Sequence, residues 1–141
     1  MSSAYDLERF VAAQDRNGTY ESAVTELKAG RKTGHWMWFV FPQIAGLGHS
    51  AISRRYAIGS LGEARAYLEH PVLGARLAQC ARVLTESDGA DAVAIFGPID
   101  AMKLQSSMTL FDRAAPDDPL FAQVLHLYFA GAADAETDRR L

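Results

Sequence analysis

The stretch "GHWMWFVFPQIAGLG", residues 34–48, holds both tryptophans of the 141-residue chain and six large apolar side chains in a row. Strand or helix here separates a mixed fold from an all-helical one. As a strand, alternation would put Met37, Phe39 and Phe41 on one face and Trp36, Trp38 and Val40 on the other, so both faces would be apolar. No other segment offers such a strand a partner, and a lone strand leaves its backbone groups unpaired. A short helix satisfies its own backbone. It would stack Trp36 over Phe39 and Val40, turn Trp38 towards Phe41, and stop before Pro42, whose ring and missing N–H end a helix.

The rest of the chain reads the same way. Leu7, Phe10 and Val11 share one helical face, as do Tyr20, Val24 and Leu27, where Thr19 is placed to cap the start and Gly30 to end the helix. Ser60 and Glu63 have the spacing of a capping box, ahead of Leu61, Ala64 and Leu68. Pro71 suits the first turn of a further helix whose stripe is Leu73, Leu77, Cys80 and Leu84. A short element over residues 92–96 ends at Gly97-Pro98, a helix follows over about 100–114, and a last one carries Leu120, Val124 and Leu127 beside Phe121, Leu125 and Tyr128. The sequence therefore predicts an all-α, compact single-domain bundle of about seven helices with short loops, spanning residues 1–141. Residues 132–141 are polar and expected to fray.

Composition narrows the function classes. Hydrophobic residues at 49% and charged residues at 22% suit a packed core and rule against disorder. A net charge of −3 argues against general nucleic-acid binding, which needs a broad basic surface. One cysteine, Cys80, excludes an internal disulfide and fits a reducing compartment. The start "MSSAYDLERF" lacks the cationic and apolar regions of a signal peptide, and no run approaches a membrane span. A cytoplasmic protein, without membrane association and monomeric, is the expectation.

The aromatic stretch serves first as core, but one turn of helix cannot bury six large side chains on every side. Polar groups flank it: Lys28, Arg31, Lys32 and His35 before, Gln43, Arg54 and Arg55 after. Aromatic faces beside cations suit a small anionic, nucleotide-like ligand, by stacking and phosphate pairing. The candidate ligand-binding residues are His35, Trp36, Trp38, Gln43, Arg55 and Lys103. Gly46 and Gly48 would let backbone approach such a ligand, or simply turn the chain. The spacing is not that of a P-loop.

In "DAMKLQSSMTLFDRAA", Leu104, Met108, Phe111 and Ala115 form a buried stripe, with Lys103 and Ser107 between it and Leu110. Lys and Ser four residues apart on a helix are within reach, and a desolvated Lys can act as base or nucleophile, so Lys103 and Ser107 are the catalytic candidates. The structural alternative has Lys103 snorkelling to solvent or paired with an acid such as Asp100. His35, His49, His70 and His126 lack paired ligand spacing and one cysteine cannot build a thiolate zinc site, so no metal is expected, and no motif calls for a cofactor.

The blocks "HWMWFVFPQ" with the following "GLG", then "YAI", "HPVLG", "IFG" and "KLQSSMTLF", from about Asp6 to Tyr128, resemble the bacterial domain of unknown function 1810 family, sometimes labelled calpastatin. The resemblance implies a compact helical domain of bacterial type and carries over no reaction or catalytic residue. The calpastatin label conflicts with the composition. Such an inhibitor would be disordered and poor in large apolar residues, whereas this chain has seven Phe, five Tyr and two Trp. Two function classes stay open: a site that binds or hydrolyses a nucleotide or ADP-ribose-like ligand, and a non-enzymatic interaction module with an exposed aromatic patch. A concave pocket joining His35, Trp38, Gln43, Arg55 and Lys103 favours the first, and a flat patch the second.

Overall fold

The computed structural model describes residues 5–87 and 91–141. Among these, the chain forms α1 (Glu8–Asp15), a 3-10 turn (Arg16–Gly18), α2 (Thr19–Ala29), α3 (Met37–Val40), α4 (Ala51–Arg55), α5 (Leu61–Glu69) and α6 (Leu73–Glu86). It continues with α7 (Ala92–Ala114), α8 (Pro119–Phe129) and α9 (Ala135–Arg139). The architecture is all-helical. The only extended pairing among the described residues is a single parallel bridge between Ile44 and Ile58.

The long helix α7 is the axis of the bundle, with α5, α8 and α9 laid against it, while α6 packs on α2, α5 and α8. Its sequence dictates that position. Leu104 and residues 106–111 are all buried, so α7 must be enclosed on nearly every side, and Leu110 joins the core along with the stripe of Leu104, Met108 and Phe111. The expected break is present. Gly97 takes φ +80°, a conformation only glycine adopts freely, and the helix resumes from Pro98 in a new direction.

Local signals set the other elements. Gly30 closes α2 in the left-handed conformation. Thr19 does not cap that helix: Gly18 is the N-cap residue, and the Thr19 hydroxyl donates back to the Arg16 carbonyl at 2.6 Å. Ser60 does cap α5, accepting from the Glu63 N–H at 3.1 Å. The Glu63 carboxylate reaches one residue further than a capping box, accepting from the Gly59 N–H at 2.8 Å and from the Arg9 guanidinium at 3.0 Å. In α6, Leu73, Leu77, Cys80 and Leu84 are all buried, as their spacing requires. Gly74 lets the start of α6 press on the end of α5: a Cβ there would collide with the Leu68 carbonyl oxygen.

Residues 132–141, where the sequence suggests fraying, carry α9. The Asp134 N–H donates to Thr109 Oγ1 (2.9 Å), and the Asp134 carboxylate caps α9 by accepting from the Thr137 N–H (3.0 Å) and hydroxyl (2.6 Å). Arg113 of α7 grips Asp138 with two bonds of 2.9 and 3.0 Å. Asp138 is the first cause of a raised Arg113 pKa, so the guanidinium is charged throughout the accessible range.

Candidate functional site

Residues 32–41 pack on the first limb of α7, and one carboxylate organises the start of this segment. Glu26, in α2, accepts from the Thr33 N–H (2.7 Å), the Gly34 N–H (2.8 Å) and the Trp36 indole N–H (2.9 Å), all on one oxygen. Burial alone would raise its pKa, but the donors of Gly34, Thr33 and Trp36 outweigh it and hold the carboxyl below its ordinary value. The indole of Trp36 is thereby turned inward, 1% exposed, and packs 6.2 Å from Phe41, which in turn meets Phe96 of α7 edge-on. Below α3, the buried Gln14 side chain donates to the Phe39 carbonyl at 2.7 Å, supplying a partner at the end of a helix only four residues long.

Trp38, on the same turn, points the other way and is half-buried. Three adjoining clefts share it. The largest, about 480 Å³, runs between the 43–53 segment (Gln43, Leu47, His49, Ser53), Lys103 and Ser106 of α7, and Asp134 and Glu136 at the C-terminal end. A second, about 350 Å³, is lined by Lys32, His35, Phe96, Pro98, Ile99 and Asp100. The third, about 140 Å³, lies over Gln43, Gly46, Arg54 and Tyr56. Gln43 is fixed by the short bridge: its carbonyl accepts from the Ile58 N–H at 2.8 Å, and the Ile58 carbonyl accepts from the Ala45 N–H at 2.8 Å.

The charges at this junction are unequal. Asp100 faces two ammonium groups, Lys32 Nζ at 2.8 Å and Lys103 Nζ at 3.4 Å. Lys32 is the firmly held one. Its backbone N–H donates to the Ile95 carbonyl, its ammonium donates to the Gly34 carbonyl at 2.6 Å, and it lies 5.0 Å from the Trp36 ring. Lys103 is looser, with its ammonium 4.4 Å from the centre of the Trp38 ring. Two cations around one carboxylate leave one positive charge in excess beside an accessible indole.

Of the residues singled out in the sequence, Trp38, Gln43 and Lys103 line the large cleft, and His35 lines the adjoining one. Trp36 lines none of these clefts; it is core, with its N–H committed to Glu26. Arg55 also lies elsewhere, exposed, with its guanidinium 5.6 Å from the Tyr56 ring and its carbonyl accepting from Arg9. Lys103 adopts the pairing with Asp100. Ser107 is fully buried, and its hydroxyl has no hydrogen-bond partner among the described residues, so it forms no dyad with Lys103. The neighbouring Ser106 reaches the cleft instead, donating to the Met102 carbonyl and placed 3.2 Å from Asp134.

Lys32 and Asp100 are part of the junction although neither stood among the expected ligand contacts. Glu26, its organiser, carried no signal: a Glu near the end of an amphipathic helix looks like a solvated residue until the following loop is seen to fold back on it. Cys80 is inert. Burial pushes its thiol up to about 12, well above any reactive range.

The fold and groove define an all-helical domain with an aromatic, cation-bordered cleft. The chain matches the family model described as "Protein of unknown function (DUF1810)" over residues 4–141, and it belongs to that family. It is similar to the conserved hypothetical protein Rv1873 from Mycobacterium tuberculosis, known from a crystal structure. The two share 50% identity, with a TM-score of 0.94, over 99% of this chain and 98% of that one. No curated protein matches the chain. Among the described residues, no helix is long and apolar enough to cross a membrane.

Proposed function

We propose that the groove around Trp38 binds a small anionic ligand carrying a flat ring, of nucleotide or ADP-ribose type. The observation that carries the reading is the junction itself: an accessible indole, two ammonium groups sharing one carboxylate, and clefts of about 480 and 350 Å³ on either side. Together these volumes suit a nucleotide-sized molecule, and convergent polar groups on an apolar wall are what such sites use for orientation. In this reading the ring meets Trp38 away from the face that Lys103 covers, with His35 and Gln43 at its edges and the ligand's anion on Lys103. Ser107 lies outside the groove, which favours binding over hydrolysis through a Lys-Ser pair. We also place the protein in the cytosol as a monomer, consistent with its lone, unreactive cysteine.

The alternative, an interaction module, draws on one observation. Ile99 and Met102, both on the rim of the same groove, are 70% and 69% exposed and form an apolar edge that a partner could cover. Thermal melts with AMP, ADP-ribose, adenosine and inorganic phosphate separate the two. A ligand that binds the folded state raises the melting temperature by mass action. The ligand reading expects a rise with AMP or ADP-ribose that is lost in Lys103→Met and Trp38→Leu while both variants remain folded. No shift with any of the four, or an undiminished shift in both variants, would reject it.

A further inference from the structure

We infer that Asp100 is a specificity-determining residue, biasing the groove towards ligands that present a single negative charge at Lys103. A phosphodiester or carboxylate is favoured, and a terminal phosphate monoester binds more weakly. The inference rests on the Trp38 groove being the binding site, and it deepens that reading by naming the charge state of the ligand.

The charges around one point set this preference. Lys32 and Lys103 contribute two positive charges, and Asp100, touching both, removes one. The opposite wall of the large cleft is acidic. Asp134 and Glu136 both line it, and Asp134 is fixed there by the donors of Thr137 and Ser106. Glu136 is paired with two cations, Arg139 and Arg140, and their one surplus positive charge offsets the Asp134 carboxylate. The site therefore balances one incoming negative charge. A second has no cation left to meet, and it arrives beside the Asp100 carboxylate.

Asp100 cannot turn away to relieve that repulsion. Its partner Lys32 is tied to the Gly34 and Ile95 carbonyls, and both residues are largely buried. Lys103 has only the longer 3.4 Å contact and the Trp38 face to leave, so it is the ammonium that can follow a ligand. At these separations and the dielectric of a partly buried site, one extra like charge weakens binding roughly five- to tenfold. His35 and His49 also line the two clefts, and Asp100→Asn leaves both in place, so comparing it with the wild-type protein separates their effect from that of Asp100.

The test compares AMP with 3′,5′-cyclic AMP by calorimetric titration of the intact protein. The first carries a monoester that is doubly charged at pH 7.5 and singly charged below its second pKa of about 6; the second is a monoanion throughout. For the wild-type protein, AMP should gain on cyclic AMP by about fivefold between pH 7.5 and 5.5, a gain that Asp100→Asn should largely lose. In Asp100→Asn at pH 7.5, the preference should move towards AMP by a similar factor. An AMP-to-cyclic-AMP ratio that does not change with pH overturns the inference, and it does so in the wild-type protein, whatever Asp100→Asn does to folding. Failure of both nucleotides to bind, or binding that Lys103→Met leaves intact, instead removes the groove as the site and the inference with it.

Discussion

Truncating Trp36 to Ala should be among the most damaging single changes in this protein, and its size can be worked from the contacts. The indole is 1% exposed, packed against Phe41 with the Lys32 ammonium 5.0 Å from its ring, so its loss leaves a cavity in the core. Aromatic-to-Ala changes in such cores cost about 3–5 kcal/mol. The lost hydrogen bond to Glu26 adds roughly 1 kcal/mol, because that carboxylate keeps its two backbone donors and gains water. The natural control is two residues away. Trp38→Phe keeps a ring on a half-buried surface and loses no hydrogen bond that anchors a loop, so it should cost about 1 kcal/mol or less. Urea denaturation followed by circular dichroism at 222 nm measures both on one scale. If the two variants lose equal stability, the division of the aromatic turn into an inward and an outward tryptophan is wrong.

Two further outcomes follow from single groups. The Glu26 pKa is held below its unfolded value, so its contribution to stability is full above the ordinary carboxylate range and is lost as pH falls through the lowered folded value; Glu26→Gln should be less stable than wild type near neutral pH yet show a shallower acid limb in melting temperature between about pH 5 and 3. An acid limb as steep as that of wild type would assign the acid sensitivity elsewhere. Ser107→Ala removes a buried hydroxyl that has no partner among the described residues, so it should leave the protein as stable or raise stability by up to about 1 kcal/mol. A loss above 1 kcal/mol in chemical denaturation would mean that the hydroxyl is bonded in solution.

The features legible in the sequence were those written in local periodicity and punctuation. The stripe of α6, the stop at Gly30, the break at Gly97 and the Ser60 cap all depend on residues within a turn or two of one another. The helical turn of Met37–Val40 followed from the absence of any strand to pair with it and from Pro42. What stayed hidden depends on long-range pairing. Arg9 holds the Arg55 and Ala57 carbonyls from 46 and 48 residues away. Arg55 is near the aromatic stretch in sequence and still contributes nothing to the clefts around Trp38. Trp36 and Trp38 are equivalent by composition, and only the position of Glu26 on α2 decides which one turns inward. Ser106, Ser107 and Thr109 look like a run of nucleophiles, yet Ser106 and Thr109 meet Asp134, the residue that begins α9, a use visible only once the C-terminal segment is in place.

Trp38, and not Trp36, should face the ligand, and the chain's two tryptophans report on this separately. In an amide-correlation NMR spectrum of uniformly 15N-labelled protein, the two indole N–H signals can be assigned with Trp38→Phe and followed as AMP or cyclic AMP is added. The account predicts that the Trp38 signal moves with nucleotide concentration to a plateau, whereas the Trp36 signal, buried and bonded to Glu26, stays in place. A Trp38 signal that does not move under saturating nucleotide, or a Trp36 signal that moves as far, would contradict it.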